Sequence, residues 1–449
     1  MKRIGFPLLA LSSVLWAGIA GAATRAHYGG TLHVAMRTAP ASLDPCESGQ
    51  LGFLSNLMFD TLVLLDDQGR PVSALASSWQ AEPGNQRWQF VLRRGVTFQD
   101  GTPVTPDTAA ASLRKSNPTW KVFSEGDAII IERDSPVSNL PAELALPRNS
   151  IVKRDGGKVA GSGPFTIAEL EPGKNMVLSA REDYWGGRPF VDAIEIELGK
   201  SFRDQMISFD LGRTQVIEVA PEQIRRAAAE GRQVESSAPV ELMALVFPRD
   251  PQSPDDARQR RAFALSLDRG LLKSVVLQDG AQPAGGLLPN WMTGYSFVFP
   301  AMDLALARQV RSEIPHTTSW TLSYDALDPT ARVVAERIAL NARDAGLGLQ
   351  ITGGSNADLR LIRISLGSLD APTALGELAA RLGFSQPSFI SESIDDLYVA
   401  ENKLLQSQRV IPLLHLRTAW AVSGSVKNWK TTRDGQLNIA DAWLAAGKP

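Results

Sequence analysis

A single cysteine, Cys46, stands in a chain of 449 residues. It excludes an intrachain disulfide and any cysteine-based metal site, so the fold must rest on its apolar core. Cys46 lies just beyond a turn and reads as a small packing residue. Histidine is scarce too: His27, His33, His316 and His415 are the only ones, and no two sit at metal-ligand spacing. His415 ends an apolar strand and reads as structural. The formal net charge is −2, which removes the electrostatic ground for nucleic acid or an anionic membrane surface as partner. After the N-terminal segment no stretch reaches the roughly 20 apolar residues that a membrane span needs. No Walker loop, H-E-x-x-H helix or dinucleotide fingerprint occurs, and Gly161-Ser162-Gly163 lacks the spacing of a nucleophile elbow. Asp100 and Asp107 have turn and helix-cap explanations. With no nucleophile–base pair or metal set, neither an enzyme nor a cofactor is expected.

What is present is ordinary globular composition, 44% hydrophobic and 21% charged, with length for two or three core-bearing units. Lys2 and Arg3 precede the uncharged run Ile4–Ala20 and the small-x-small site Ala20-Gly21-Ala22. This is the pattern of a signal peptide over residues 1–22, cleaved near Ala22. Gly5, Pro7, Gly18 and Gly21 make the same run a poor membrane anchor. A periplasmic or otherwise extracytoplasmic chain is the expectation.

The densest patterning lies between Gly161 and Leu198. Phe165 and Ile167 alternate on a strand, Glu171-Pro172-Gly173-Lys174 is a turn, and Met176, Leu178 and Ala180 alternate on the return. Asp183-Tyr184-Trp185-Gly186-Gly187-Arg188-Pro189 breaks the chain, and Ile194, Ile196 and Leu198 alternate on a third strand. Before this unit, Thr31–Met36 and Trp88–Leu92 read as strands. Thr105-Pro106-Asp107 starts a short helix, and residues 119–160 are weakly patterned. After it, Ser253-Pro254-Asp255 caps a helix whose Arg258, Arg260 and Arg261 read as a solvated face. A strand at Trp320–Tyr324, a helix from Asp328-Pro329 to Ala345, a left-handed stop at Gly346 and a strand at Leu347–Ile351 suggest a mixed α/β lobe. Asp395–Leu405 reads as a helix and Val410–His415 as a strand. Trp291 is a large aromatic in the Pro/Gly-bounded loop Pro289–Tyr295, a place suited to a pocket wall.

The succession Gly29-Gly30-Thr31-Leu32, Ser42-Leu43-Asp44-Pro45, Leu75–Trp79, Trp88–Val104, Gly161–Phe165, Asp183–Pro189, Arg260–Arg269, Ile411–His415 and Asp441–Leu444 resembles the family 5 extracellular solute-binding proteins, the oligopeptide- and dipeptide-binding proteins of bacterial ABC importers. The resemblance covers nearly the whole chain after the signal segment. It implies an α/β fold, periplasmic-binding-protein-like (type II), two-lobed with an additional small domain and mixed sheets. Lobe I would be discontinuous, over 24–45, 161–240 and 420–449. A reduced second domain would occupy 46–160 and lobe III 241–419. The implied function is capture of a peptide or other small polar solute between the lobes, and delivery by a monomer to ABC permease subunits. The alternative is the same fold used for sensing or scaffolding with a non-peptide ligand. The candidate ligand residues are Thr38, Pro40, Trp291, Arg363, Ser368 and Asp370. In peptide-binding members an Asp four residues before a Pro anchors the ligand's ammonium group. Here that position is Ser368, and Asp370 comes two residues late. Either Asp370 takes over, or the usual anchor is absent.

Overall fold

The computed structural model describes residues 26–47, 51–296, 302–326, 328–353, 357–387 and 393–445. The signal segment lies outside them. One eleven-stranded mixed sheet runs through two lobes. Its order is Phe165–Glu171, Asn175–Ala180, Ala193–Glu197, Thr31–Ala35, Val216–Glu218, Val410–Val422, Gln233–Val246, Leu359–Ser365, Trp320–Ser323 and Leu349–Thr352, with Ala281–Pro283 paired to Val410–Val422.

The central unit is the first lobe's outer half. Gly173, at φ +77°, turns the hairpin between Phe165–Glu171 and Asn175–Ala180. Ala193–Glu197 then lies parallel to Thr31–Ala35, with Leu32 against Ile194 and Val34 against Ile196. Those four side chains, with Phe165, Met176, Leu178, Val216 and Val422, form one buried core. The alternation seen in the sequence is thus the inward face of these strands. Helix Leu54–Met58 packs on the same core, so this part of the 46–160 segment is joined to the first lobe.

The second domain is a four-stranded sheet in the order Ala76–Ala81, Arg87–Leu92, Ala128–Glu132, Lys121–Glu125, with helix Pro106–Ser116 packed against it. Trp88, Phe90, Phe98, Leu113, Ile129 and Ile131 fill its core. Thr105 caps the helix through the Thr108 N–H at 3.2 Å, with Pro106 in the first turn. Strand Lys121–Glu125 buries only Val122 fully, which is why its stretch looked unpatterned.

Two long strands, Gln233–Val246 and Val410–Val422, pair antiparallel and run from the first lobe into the third. From the sequence, Leu242–Phe247 and Val410–His415 read as apolar strands, only parts of this pair, because Gln233–Ser236 is largely exposed. Pairing slips on both sides of Pro239, which lacks a ladder N–H. In the third lobe one face of these strands packs through Met243, Leu245 and Leu413 on helices Pro254–Ser266 and Pro329–Asp344. The other packs through Leu242, Ala244 and Val410 on helices Ala371–Arg381 and Ile394–Gln406.

Two local readings are corrected. Arg260 is buried, not solvated. It pairs with Asp256 at 3.1 Å, donates to the Arg249 carbonyl at 2.9 Å and lies 4.1 Å over the Phe247 ring. Arg258 and Arg261 do face solvent. The segment around Trp291 is not an open loop: Asn290–Thr293 is a helical turn, ended by Gly294 at φ +74°. No helix of the described residues is long and apolar enough to cross a membrane.

Candidate ligand site between the lobes

Strand direction decides where the two lobes can grip a solute. Thr31–Ala35 and Val216–Glu218 are parallel, and so are Trp320–Ser323 and Leu359–Ser365. The segments that leave their C-terminal ends meet across a seam beside the long strands. Arg37, just past the first strand, reaches Asp325 of the other lobe at 3.5 Å. Thr330 donates its hydroxyl to Glu222 of the first lobe at 2.9 Å. In open α/β sheets the carboxyl ends of strands are where ligands bind.

A charge network lies behind this seam. Arg363, on strand Leu359–Ser365, is held between Glu241 and Asp328. Its Nη1 is 2.7 Å from Asp328, and Nε and Nη2 both turn to one oxygen of Glu241. Burial opposes the Arg363 charge, but the two carboxylates raise its pKa above the ordinary arginine value. Burial likewise works against ionised Asp328, and Arg363 overrides it to leave the Asp328 pKa lowered. Asp328 also caps helix Pro329–Asp344 through the Thr330 and Ala331 N–H groups. Glu218 accepts from the Arg37 N–H and from Gln205 Nε2 at 3.1 Å. Burial raises its pKa despite those donors.

The six sequence candidates fall in three places. Thr38 and Pro40, both half-buried, follow Arg37 from the first strand. Arg363 stands behind the seam as described. Ser368 and Asp370 lie where the third lobe meets the second domain. Ser368 is buried, and its hydroxyl accepts the Asp370 N–H at 3.0 Å. Asp370 caps helix Ala371–Arg381, accepting from the Thr373 N–H and hydroxyl on one oxygen and from Asn139 of the second domain on the other. Arg148 and Glu377 pair alongside at 2.7 Å. Trp291 sits at the crossing strands: its indole N–H donates to the Pro239 carbonyl at 3.1 Å, and Arg433 lies 4.2 Å over its ring. Sequence reasoning missed Arg37, Glu218, Glu222 and Asp325, and took Asp328 only as a cap. The available signal was a charged residue directly after an apolar strand.

The conspicuous motifs do a different job. Gly161 and Gly163 lie against the Met58 backbone so closely that a Cβ at either would overlap it. Gln99 bonds both ways with Gly161 and donates to the carbonyls of Met58 and Phe165. Buried Arg181 donates to the carbonyls of Thr97, Ser162 and Gly163 and pairs with Asp183. Asp60 accepts from the Ser162 hydroxyl at 2.8 Å, the Tyr184 hydroxyl at 3.1 Å and the Trp185 indole at 3.0 Å. Burial raises the Asp60 pKa against those three donors. Together they bolt the second domain to the first lobe. His415 is buried and bonds to the Leu287 carbonyl at 3.0 Å. Cys46 lies between the Ser116 hydroxyl and Arg154, each at 2.9 Å. Among the described residues no group of three or more His, Cys, Asp or Glu side chains could hold a metal ion. A cavity of about 560 Å³ on the first lobe, lined by Thr214, Arg232, Gln233 and Ser423 among others, opens at the opposite strand ends, where Val216–Glu218 and Gln233–Val246 begin.

Two lobes joined by continuous crossing strands, with strand ends facing each other, define the class of two-lobed solute-binding proteins. Residues 70–373 match the family described as bacterial extracellular solute-binding proteins, family 5 Middle, and the chain belongs to that family, whose members are not enzymes. It is 34% identical over 173 residues to the uncharacterized protein YhjP of Bacillus subtilis, covering 34% of this chain and 30% of that protein. It is 22% identical over 328 residues to the probable D,D-dipeptide-binding periplasmic protein DdpA of Escherichia coli, covering 66% of this chain and 63% of that protein. The matched stretches thus span less than two thirds of either relative. The crystal structure of NikA from Staphylococcus aureus in complex with Ni(L-His)2 superposes with a TM-score of 0.80 at 17% identity, over 92% of this chain and 99% of that one. That similarity shows the fold, mixed α/β and of the family 5 kind.

Proposed function

We propose that this chain captures a peptide or other small polar solute at the seam between its lobes and, as an exported monomer, delivers it to an ABC-type permease. The observation that carries the reading is the pair of inter-lobe contacts, Arg37–Asp325 and Thr330–Glu222, placed where the strand ends of both lobes converge. They lie beside two strands that pass from lobe to lobe and slip in register at Pro239, a geometry suited to hinge closure. The relatives include a probable D,D-dipeptide-binding protein and a protein crystallised with Ni(L-His)2, two solute classes to test.

One observation favours the second reading, a ligand that is not a free peptide held in the usual way. The carboxylate oxygens of Asp370 are engaged by Thr373 and Asn139, and Ser368 offers only a buried neutral hydroxyl. A peptide ammonium at that position would have to displace a helix cap. The test is a thermal-shift screen of the mature protein against di- to pentapeptides, sugars and metal chelates. A bound solute at a hundredfold over its dissociation constant adds about 2.7 kcal/mol of stability. A shift with peptides that is insensitive to Asp370→Ala places the ammonium elsewhere. No shift with any peptide removes the peptide reading.

A further inference from the structure

The cavity of about 560 Å³ on the first lobe lies at the strand ends opposite to the seam. Strands Val216–Glu218 and Gln233–Val246 begin beside it, and Val410–Val422 ends there. Phe209, from helix Phe202–Asp210, and Val422 give its wall two apolar side chains. The other uncharged side chains of the wall carry hydroxyls or amides. Thr214 is only 2% exposed, and its Oγ1 is buried with no hydrogen-bond partner in the protein. Gln215 lends Oε1 to the His33 N–H at 2.7 Å, which leaves the N–H groups of its Nε2 as donors. The Ser423 and Ser425 hydroxyls share one hydrogen bond at 3.0 Å and keep further acceptor capacity. Arg232 is the one charged residue of this lining, and it is committed. Its Nε and Nη2 go to Asp210 at 3.2 and 2.9 Å, and its Nη1 goes to Glu230.

We propose that this cavity is a second binding site, for a small neutral solute rich in hydroxyls, a mono- or disaccharide. The solute's hydroxyls bond Thr214 Oγ1, Gln215 Nε2 and the Ser423–Ser425 pair, and its C–H face lies against Phe209. An anion would have to take Arg232 from two carboxylates, and a cation meets no carboxylate in the wall. A wholly apolar ligand would leave the Thr214 oxygen still without a partner, at the cost of its desolvation. The volume falls within the range of small-molecule sites, about 300–1,000 Å³. Every lining residue belongs to the first lobe, so binding here needs no closure of the lobes. The inference therefore stands apart from the reading of the seam.

The test is calorimetric titration of the full exported chain with glucose, maltose and N-acetylglucosamine, and with inorganic phosphate and spermidine as charged controls. At least one sugar binds, and ionic strength does not move its affinity. Thr214→Val weakens that sugar by about three- to tenfold, the worth of one neutral hydrogen bond. The free Thr214→Val protein melts no lower than the unmodified chain, because the lost hydroxyl makes no bond within the protein. Gly424→Tyr places a side chain in the cavity wall and abolishes sugar binding. A Cβ at Gly424 meets nothing within 4 Å, so the backbone accepts the change. No binding by any of the three sugars overturns the assignment. Phosphate or spermidine binding that Gly424→Tyr removes overturns the neutral class. A sugar whose affinity survives both variants binds elsewhere, which overturns this inference and leaves the solute-binding reading of the seam standing.

Discussion

Arg363, read from the sequence as a candidate ligand contact, is a structural cation. It is held between Glu241 and Asp328, both buried. Arg363→Ala leaves two buried carboxylates unpaired, and we expect it to cost about 3–5 kcal/mol in urea unfolding. A cost within about 0.5 kcal/mol would mean that the arginine serves the ligand alone. His415 makes a second prediction, with a sign. Burial lowers its pKa from 6.5 to about 4, although its bond to the Leu287 carbonyl works the other way. The unfolded chain therefore gains a proton below pH 6.5 that the folded chain refuses until about pH 4. Stability is unaffected above that window and falls as the pH drops through it, by up to about 3 kcal/mol from this side chain. His415→Gln should flatten that part of the pH–stability curve. An unchanged slope would show that the ring is not the group responsible. The structural reading of His415 was legible from its place in an apolar strand, whereas that of Arg363 was not: it stood out as a possible ligand contact, and its two partners lie 122 and 35 residues away along the chain.

Elements were legible wherever one face was apolar and one polar. Thr31–Ala35, Arg87–Leu92 and Ala193–Glu197 alternate in burial as they alternate in sequence. Helices with a capping residue and an early proline, Pro106–Ser116 and Pro329–Asp344, announced their own starts. The strands that cross between lobes were only half visible, because Gln233–Ser236 runs largely exposed and Val410–Val422 is buried almost throughout, without a period. Their break at Pro239 sits beneath Trp291, whose indole bonds to the Pro239 carbonyl and whose ring lies under Arg433. Native-state hydrogen exchange should find slow amides over Leu242–Val246 and Leu413–Leu416 and a faster stretch at Ser237–Val240. Uniform protection along Gln233–Val246 would mean that the strand is rigid and that bending occurs elsewhere.

The whole molecule is joined in two places. The second domain is fastened to the first lobe by Gln99, Arg181 and Asp60, all serving backbone or side chains of the Gly161–Trp185 stretch. The stretch most conspicuous in the sequence is therefore a joint. It identifies the family and carries no information about the solute. The third lobe meets the rest through polar contacts that include Arg37–Asp325, Thr330–Glu222, Arg225–Asp279, Asn139–Asp370 and Arg148–Glu377, and through Gly280 packed on the Pro221 backbone. The seam was hidden from sequence reading because its residues come from four strand ends brought together only by the parallel pairings of each lobe.

We propose that solute binds between the lobes and closes them. With Cys46→Ser removing the native thiol, spin labels at Leu211→Cys and Val333→Cys mark exposed positions on the first and third lobes. The distance between them is measured by double electron–electron resonance, without solute and with each probe that raises the melting temperature. We expect saturating solute to draw the distribution into a single short distance. A solute that stabilises the protein and leaves the distribution unchanged would contradict the account.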